Sequence, residues 1–410
     1  MSLLTNNNDR IHDGFSPQLM KSSNTMLLFN LIRKKMPISR AALAKETGLS
    51  PTTVSILVDE MIQSNWICEV GTGQAPERGR KPILLEVKAS RGYVIIIDIF
   101  SGGYKCTLYD LCLKNAGNIR VRMYKYTSQD ICNTIYELLK SKRIAQYRLI
   151  GIHIIFPGLF DAETGKLRLS VVLQPDEMNY TDIVEVLKER FPKTVVMINN
   201  NGGVIAFSEF IVEGEDVDIP LLSVNIDEGI SGGMVLRETR SGSRMCFPLE
   251  IGHIIVDNDG PQCKCGNRGC LETLCSTSAL FRNLNDRTHL GLTFRDTFGA
   301  ECNQEAMETT AALFKDNDPR VMPVIKDYVY TLCSGLVSTV NLCNIKCIHI
   351  GGSISVLGQG FADLVCKTLK EHFVPLNSSL EFSLVLFSND FERIRKAAAR
   401  MTMDEIFKNN

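Results

Sequence analysis

A short segment between residues 253 and 270 constrains this 410-residue chain more than any other part of its sequence. It places one histidine and three cysteines in the order H-x9-C-x-C-x4-C, as His253, Cys263, Cys265 and Cys270. Three thiolates and one imidazole are the ligand set of a closed tetrahedral zinc site. The alternative is a chance cluster of buried cysteines and a core histidine. Because protein atoms would fill all four positions, such a Zn2+ ion is structural and could not activate water.

The composition predicts a globular cytoplasmic protein. Hydrophobic residues make up 44% of the chain and charged residues 22%, which provides enough apolar material for a buried core. No apolar run approaches the ~20 residues that span a bilayer, and we expect no secretory signal. The 14 cysteines are spread along a chain too long to need disulfides, so we expect reduced thiols. These features argue against a membrane protein, a small disulfide-rich secreted protein and a disordered chain.

The near-neutral total charge conceals an uneven distribution. Residues 1–90 carry 11 basic and 8 acidic side chains, whereas the other 320 residues carry 34 basic and 38 acidic ones. A small basic segment ahead of a larger acidic one is typical of a nucleic-acid-binding module joined to a second function. A few surface lysines could also produce a difference of this size.

The N-terminal segment has the pattern of a helix-turn-helix. A helix is predicted over residues 22–35, and Ser39 can cap a second helix over residues 40–47. Gly48 supplies a left-handed turn, and Ser50-Pro51 begins a third helix as an N-cap followed by proline. The last helix of such a motif enters the major groove of DNA. The residues that we expect to contact DNA in this segment are Ser39, Arg40, Ser50, Pro51, Thr52, Thr53 and Ser55.

A hairpin follows these helices. Two strands are predicted at Trp66–Val70 and Pro82–Val87, and the glycine-rich loop between them ends in the cations Arg78, Arg80 and Lys81. Such a wing can lie along the phosphate backbone or place an arginine in a narrow minor groove. The alternative is an ordinary three-helix packing module with a solvated basic loop. The order of helices, hairpin and basic loop favours DNA binding by an all-α-plus-hairpin winged helix-turn-helix domain over residues 1–88.

The rest of the chain alternates apolar strands with helices, which predicts an α/β fold. One set of strands begins at Tyr93–Ile99 and a second begins at Leu221–Ile226, so we expect two lobes with a cleft between them. The predicted first lobe comprises residues 89–199 and 390–410, and the second, with the cysteine-rich loop, comprises residues 200–389. Residues 276–326 should be mainly helical, and no function follows from their sequence.

Two acidic residues flank the cysteine-rich loop. Glu250 precedes His253 by three residues, and Glu272 follows Cys270 by two. A carboxylate offers several acceptor positions, so acids held on a metal-pinned loop suit the hydroxyl groups of a sugar. If the loop bound no metal, two ordinary surface glutamates would be the simpler interpretation.

These motifs resemble the ROK family of repressors, open reading frames and kinases. The resemblance covers nearly the whole chain, and the helix-turn-helix is similar to that of the family's xylose-repressor-like and N-acetylglucosamine-repressor-like regulators. It implies a two-lobed actin/hexokinase-like (ribonuclease H-like) core, a sugar in the cleft, and a homodimer or homotetramer. The matching segments are EIGH at 250–253, CKCGNRGCLE at 263–272, FPGLFD at 156–161, GGS at 351–353 and the helix-turn-helix at 38–50.

The kinase part of the resemblance is incomplete at three positions. Family kinases use an Asn-Asp pair whose aspartate is the general base, and this chain has Asn200-Asn201 there. A carboxamide is not basic enough to take a proton from a sugar hydroxyl. The first phosphate loop has Phe100 in place of glycine, and the second has Asp227-Glu228-Gly229 in place of Gly-Thr-Gly. A carboxylate there would repel a phosphate by roughly 4 kcal/mol at ~4 Å in a protein-like dielectric.

We therefore interpret the sequence as a sugar-responsive, DNA-binding regulator, expected to repress carbohydrate-utilisation genes and not to be an enzyme. Its partners would be operator DNA and a monosaccharide or sugar phosphate, and a protein could take the place of the sugar. Two alternatives stay open: an ATP-dependent sugar kinase with Asp98 or Asp227 as its base, and a purely structural zinc scaffold. The identity of the sugar and the direction of its effect do not follow from the residues. The expected sugar-contacting residues are Gly158, Asn200, Asn201, Glu250, His253 and Glu272.

Overall fold

Helices and strands alternate throughout the part of the chain that the computed structural model describes, namely residues 23–73, 81–100, 102–123, 125–160, 167–170, 182–213, 220–237, 244–294, 302–345, 347–373, 383–387 and 390–407. The α-helices in these ranges are α1 (Ser23–Lys35), α2 (Arg40–Thr47), α3 (Pro51–Gln63), α4 (Ser128–Ser141), α5 (Ile183–Arg190), α6 (Asn201–Glu213), α7 (Leu271–Cys275), α8 (Thr277–Thr288), α9 (Cys302–Lys315), α10 (Val321–Cys343), α11 (Gln359–Thr368) and α12 (Phe391–Ile406). The strands are β1 (Ile38–Ser39), β2 (Ile67–Thr72), β3 (Ile83–Val87), β4 (Tyr93–Phe100), β5 (Gly103–Asp110), β6 (Asn115–Arg122), β7 (Leu149–Phe156), β8 (Leu159–Phe160), β9 (Leu167–Leu169), β10 (Val195–Asn200), β11 (Leu221–Ile226), β12 (Ile230–Arg237), β13 (Arg244–Leu249), β14 (Cys347–Gly351) and β15 (Ser383–Leu386). No helix in the described ranges combines the length and the apolar character that crossing a bilayer requires.

The N-terminal head, described over residues 23–87 apart from the gap at 74–80, is a helix-turn-helix followed by a hairpin. The Ser39 hydroxyl accepts a hydrogen bond from the Ala42 backbone nitrogen at 3.2 Å, which caps the start of α2. Gly48, with a φ of 71°, then ends α2 in the left-handed conformation. Strands β2 and β3 pair antiparallel, and the two-residue strand β1 adds to β3. The predicted helices, caps and hairpin are confirmed, whereas β1 was not predicted.

The first five-stranded sheet has the order β10-β7-β4-β5-β6. Strands β4, β5 and β6 form an antiparallel meander, and β7 and β10 extend it parallel to β4. Strands β4 and β7 are almost continuously apolar, which is typical of strands covered on both faces. Helices α4 and α5 pack on one face of this sheet, and α12 packs on the other.

The second five-stranded sheet repeats this topology with the order β13-β12-β11-β14-β15. Its antiparallel strands are β11, β12 and β13, and β14 and β15 extend it in parallel. Helices α8, α9, α10 and α11 share one apolar cluster with this sheet, and α6 packs on its other face. The repeated topology is that of the predicted two-lobed ribonuclease H-like core. Within residues 276–326, the described part is mainly helical, as predicted.

Helix α12 joins the body, described between residues 93 and 407, to the head. Its apolar side chains share one buried cluster with the head and with β4. Just beyond its end, the ring of Phe407 lies 4.9 Å from the ring of Phe29, and the Phe407 carbonyl accepts a hydrogen bond from the Asn30 amide at 2.6 Å. Arg33 of α1 forms an ion pair with Asp404 of α12. The last helix thus packs on the first sheet, and it also contacts the first helix of the head.

Candidate functional site

The four predicted metal ligands lie together on one loop. The ligand atoms of His253, Cys263, Cys265 and Cys270 are all within 4.8 Å of one another. The His253 Nδ1 atom lies 3.7 Å from the Cys263 sulfur, and the sulfurs of Cys265 and Cys270 are 3.6 Å apart. A tetrahedral ion with bonds of ~2.3 Å to sulfur separates neighbouring thiolates by about 3.8 Å. The cluster therefore has a donor set and a spacing that could hold a metal ion.

The three thiols of the cluster differ in their pKa. Desolvation would raise the pKa of Cys265, but hydrogen bonds from the Asn267 backbone and the neighbouring thiols lower it overall. At the other two thiols burial favours the neutral form when no cation lies near them: it raises the pKa of Cys270 to about 12, and it also raises the pKa of Cys263. A metal cation at the centre of the cluster would reverse this preference, because the cation stabilises the thiolates.

One glycine allows the metal loop to close on itself. Gly269 has a φ of +62°, and a Cβ atom there would collide with the backbone oxygen of Asp257. The Gly269 nitrogen donates to the Pro261 oxygen at 2.8 Å, and its oxygen accepts from the Val256 nitrogen at 2.9 Å. These bonds hold the histidine-bearing turn, Ile251–His253, beside the cysteines.

The two predicted sugar-binding carboxylates flank the metal cluster. Glu250 immediately precedes the Ile251–His253 turn, and Glu272 lies in the first turn of α7. One Glu272 oxygen accepts a hydrogen bond from the Ile230 nitrogen at 2.9 Å, which ties α7 to the start of β12. Desolvation raises the pKa of both carboxyl groups; at Glu250 the His253 imidazole opposes this rise and the Glu272 charge adds to it. The two acids and His253 therefore share one electrostatic environment.

Helix α6 meets β12 through direct backbone contact. A Cβ atom on Gly202 would collide with the Gly232 oxygen, and one on Gly232 would lie 2.7 Å from the Ile251 side chain. Only glycines permit this approach, which brings the start of α6, strand β12 and the histidine-bearing turn together. We call this meeting point the junction, defined as residues 200–202, 230–232 and 250–253.

Asn200 and Asn201 have different surroundings at the junction. The Asn200 amide donates to the Gly158 oxygen at 2.8 Å, and its oxygen accepts from the Gly202 nitrogen at 2.7 Å. Asn200 therefore fixes the loop after β7 and the start of α6. Asn201 is partly buried, and within the described part of the chain its side chain has no hydrogen-bond partner. The Asn201 amide is thus available to a ligand, whereas both ends of the Asn200 amide are already bonded.

A side chain of the protein itself bonds to the glycine turn at the end of β14, Gly351-Gly352-Ser353. One carboxylate oxygen of Asp227 accepts hydrogen bonds from the backbone nitrogen and the hydroxyl of Ser353, each at 2.6 Å. The other oxygen accepts from the Asn225 amide at 2.7 Å. The neighbouring Glu228 accepts from Asn303 at 2.7 Å. The backbone donor at this turn therefore already has an anionic partner.

The first phosphate loop has internal partners as well. Asp98, near the end of β4, forms an ion pair with Arg395 of α12 at 2.8 Å. Burial raises the pKa of Asp98, and the Arg395 guanidinium opposes this rise. The guanidinium of Arg120 lies 4.9 Å from the centre of the Phe100 ring. Asp98, a candidate base if the protein were a kinase, thus links α12 to the first sheet.

A buried ionic cluster, which the sequence did not predict, links α6 to the second sheet and to α12. One Glu209 oxygen lies 3.2 Å from His349 Nδ1 on β14, and the other pairs with Arg393 of α12. Burial alone would lower the pKa of His349, but interactions with Cys347 and Glu209 raise it to about 9. The imidazole is therefore protonated at neutral pH. The only signal in the sequence was a histidine within an otherwise apolar strand.

Two of the residues predicted to contact DNA cap helices of the head. The hydroxyl of Ser39 caps α2, and the hydroxyl of Ser50 accepts from the Thr53 nitrogen at 3.1 Å to cap α3. The Ser50 and Thr53 hydroxyls also lie 2.8 Å apart and bond to each other. These three side chains therefore have roles within the head that do not depend on DNA.

The other predicted DNA contacts differ in their surroundings. Arg40 forms ion pairs with Asp59 at 2.8 Å and with Glu69 at 3.2 Å. Ser55 is partly buried, and exposed side chains are found at Pro51, Thr52 and Lys81. Arg78 and Arg80 lie outside the described residues.

Two curated relatives match most of the chain. It is 28% identical over 345 residues to the xylose repressor of Bacillus subtilis (strain 168), an alignment that covers 82% of this chain and 83% of the relative. It is 26% identical over 341 residues to the DNA-binding transcriptional dual regulator NagC of Escherichia coli (strain K12), which covers 82% of each. Both alignments therefore leave less than a fifth of either protein unmatched.

Two solved structures confirm the fold. A ROK family transcriptional regulator, a homologue of the E. coli MLC protein, matches with a TM-score of 0.72 and 23% identity over 95% of this chain and 98% of that one. The ROK hexokinase from Thermus thermophilus matches with a TM-score of 0.57 and 19% identity over 77% of this chain and 99% of that one. The ROK family model matches residues 95–385, which confirms the resemblance read from the motifs: the chain belongs to the ROK family.

Proposed function

We propose that this protein is a sugar-responsive repressor of transcription whose kinase-like body no longer transfers phosphate. The observation that carries the proposal has two parts. A helix-turn-helix packs against the body, and within the body Asp227 accepts a hydrogen bond from the backbone of Ser353 in the glycine turn at the end of β14. The matches to proteins named xylose repressor and NagC support it, since each covers about four fifths of the chain.

The loss of phosphoryl transfer follows from the chemistry of three positions. Asn201 stands where the family's kinases have aspartate, and its amide can hold a hydroxyl but cannot take its proton. The acids that could replace it, Asp98 and Asp227, are already paired with Arg395 and Ser353. The carboxylates of Asp227 and Glu228, at the position of the second phosphate loop of the family's kinases, would also repel nucleotide phosphates. The alternative function, an ATP-dependent sugar kinase, would require these pairs to break.

We assign the metal cluster to structural Zn2+. Three sulfurs and one imidazole nitrogen suit zinc, and they fill a tetrahedron without leaving a position for water. When bound, zinc supplies folding free energy to the loop. Because Glu250 and Glu272 flank that loop, the folded loop holds both carboxylates near the junction.

A monosaccharide or sugar phosphate would bind at the junction. Glu250 and Glu272 would accept hydrogen bonds from its hydroxyl groups, and the Asn201 amide would donate one. His253 would offer its Nε2 atom to the sugar, since its Nδ1 atom faces the thiols. Gly158 and Asn200 would shape the site through their mutual hydrogen bond.

A chain of contacts leads from the junction to the head. Helix α6 begins at Asn201 and carries Glu209, which pairs with Arg393 at the start of α12. Near its other end, α12 pairs with the head through Asp404 and Arg33. A sugar that favours one position of α6 would therefore favour one orientation of the head. It would change DNA affinity only by as much as it distinguishes the two arrangements.

Operator binding requires two heads for paired half-sites, so we include a homodimer or homotetramer in the proposal.

The domains would be residues 1–88 for the head, residues 89–199 with 390–410 for the first lobe, and residues 200–389 for the second. Ser39, Ser50 and Thr53 would hold the DNA-binding helices in place. The contacts to DNA would come from Arg40, Pro51, Thr52, Ser55, Arg78, Arg80 and Lys81.

The test uses the full-length protein, a randomised duplex library and a panel of monosaccharides and their phosphates. We expect the protein to retain specific duplexes, and we expect one sugar to raise its Tm and to change its affinity for those duplexes. Glu250→Ala should abolish the sugar-induced rise in Tm without abolishing DNA binding.

Two results would contradict the proposal in different ways. ATP-dependent phosphorylation of any sugar in the panel by the unaltered protein would show that it is a kinase, with Asn201→Asp as the comparison. Failure to retain any duplex would show that the head does not bind DNA.

A further inference from the structure

The outward face of α3 has an unusual composition for a helix that reads DNA, because it carries no cation. Between Pro51 and Gln63 the helix contains two acids, Asp59 and Glu60, and neither lysine nor arginine. Arg40, from the neighbouring α2, is already paired with Asp59 and with Glu69. The bidentate pairing of arginine with guanine, which is the commonest specific base contact, is therefore not available from this helix.

The hydroxyl groups at the start of α3 are largely committed to its cap. Ser50 and Thr53 bond to each other at 2.8 Å, and Ser50 also accepts from the Thr53 nitrogen. The side chains that remain for contact with base edges in the first two turns are Pro51, Thr52, Ser55 and Ile56.

Ile56 differs from the other apolar residues of α3. Its side chain is 54% exposed, whereas Val54 and Val58 are completely buried. It follows the exposed Thr52 by four residues, so the two side chains are neighbours on the same face of the helix. A single exposed isoleucine is common on protein surfaces. This one lies on the helix that the α2–Gly48–α3 arrangement would present to the major groove.

We propose that Ile56, with the methyl group of Thr52 beside it, contacts the C5-methyl group of thymine in the operator. The thymine methyl is the apolar feature that distinguishes this base in the major groove. A β-branched side chain has few rotamers to lose when the contact forms. The inference rests on the proposed function, because it requires α3 to lie in the major groove of DNA.

The experiment uses the full chain and a duplex that it selects from a randomised library. Each thymine in the selected duplex is replaced in turn by uracil, which removes the C5-methyl group and leaves the pairing edge unchanged. We expect affinity to fall about fourfold at one or more positions in each half-site, since a buried methyl-sized group contributes ~0.8 kcal/mol. In Ile56→Ala the same replacement should have no further effect, whereas Ile56→Val should keep the dependence.

Two further variants serve as controls. Thr52→Ser keeps the hydroxyl and removes the methyl group, so it measures how much of the uracil effect on affinity comes from the Thr52 methyl group. Tyr330→Ala removes a side chain that is 51% exposed on α10 of the body, and it should leave the uracil effect unchanged.

The possible results separate this inference from the proposed function. Binding that is insensitive to uracil, or sensitivity that persists in Ile56→Ala, would overturn the inference and leave the repressor proposal intact. If the full chain retains no duplex, the repressor proposal fails and the role of Ile56 fails with it.

Discussion

Asp227 and Ser353 are 126 positions apart in the chain, yet one carboxylate oxygen of Asp227 accepts two hydrogen bonds of 2.6 Å from Ser353. They meet because β11 and β14, which precede them, are adjacent parallel strands that end at the same edge of the second sheet. The acids at residues 227 and 228 are therefore more than a source of repulsion for phosphate. Asp227 holds the turn by giving the backbone nitrogen of Ser353 a charged acceptor within the protein.

Replacing Asp227 by alanine should destabilise the protein, because the Ser353 nitrogen would lose its acceptor. A hydrogen bond to a charged group contributes about 1.5–3 kcal/mol, so we expect a lower Tm in thermal unfolding. Asp227→Asn keeps an acceptor and should lower the Tm less. Asp363→Ala removes an exposed carboxylate from α11 and serves as the control. A Tm for Asp227→Ala equal to that of the unaltered protein would contradict the prediction.

Breaking the ion pair between Arg33 and Asp404 should weaken the effect of sugar on DNA binding. Arg33 is almost fully buried, with 4% of its side chain exposed, so Asp404→Asn removes the negative charge that faces a buried cation. We expect this variant to bind sugar and DNA separately. The ratio of its DNA affinities with and without sugar should move towards one, as measured by titration at fixed salt.

A charge exchange and a remote pair provide the controls for this experiment. Arg33→Asp combined with Asp404→Arg restores opposite charges at the two positions and should recover part of the sugar effect. Arg287 and Asp327 form an exposed pair at 2.7 Å in the second lobe, so Arg287→Met should change nothing. An unchanged sugar effect in Asp404→Asn would show that this ion pair does not transmit it.

The raised pKa of His349 makes stability fall in the alkaline range. The ordinary pKa is 6.5 and the folded value is about 9, so the stabilisation is complete below 6.5 and is lost as pH rises towards 9. At 1.36 kcal/mol per pKa unit this contribution is about 3 kcal/mol. The Tm should therefore decrease across this range, and His349→Gln should flatten the decrease.

His153 offers a control of opposite sign. It is buried beneath α12, with its Nδ1 atom 2.9 Å from the Thr402 hydroxyl, and burial lowers its pKa to about 4. Its contribution is present above the ordinary value of 6.5 and is lost as pH falls towards 4. His153→Asn should therefore alter the acidic side of the Tm profile only. An alkaline slope in His349→Gln equal to that of the unaltered protein would refute the assignment to His349.

Removal of the metal should unfold the loop that Glu250 and Glu272 flank. A strong chelator is expected to lower the Tm and to abolish the sugar-induced shift, while DNA binding persists, because the head holds none of the ligands. Added Zn2+ should restore both properties. Cys265→Ser should reproduce the effect of the chelator, whereas Cys343→Ser, at a half-buried cysteine outside the cluster, should not. Purified protein without metal by elemental analysis, and a Tm unaffected by chelator, would exclude a structural metal.

Features that depend on neighbouring residues could be predicted from the sequence. The caps at Ser39 and Ser50, the turn at Gly48 and the convergence of His253 with the three cysteines all involve partners fewer than about twenty residues apart. Local hydrogen bonding and ligand spacing determine such features, and the pattern of residue types reports them directly. The repeated strand sets were also visible, because central parallel strands are nearly continuous apolar runs.

Several strands escaped prediction because their sequences are not distinctive. Strand β6 alternates partly exposed residues along the edge of the first sheet, and β13 and β15 lie at the two edges of the second. Strand β1 has only two residues and exists because it pairs with β3. An edge strand buries one side or less, so it lacks the apolar run that identifies a central strand.

The contacts that relate one part of the molecule to another could be found only in the folded chain. Glu209 meets His349 from 140 positions away and Arg393 from 184, and Arg33 meets Asp404 from 371. Apart from the position of His349 within an apolar strand, no local pattern marks such residues, because a charged side chain has the same sequence context whether it faces water or a distant partner. Their pairing depends on which helices the two sheets place side by side. Burial then gives each pair an effect on the free energy of unfolding, because an unpaired charge inside the protein is costly.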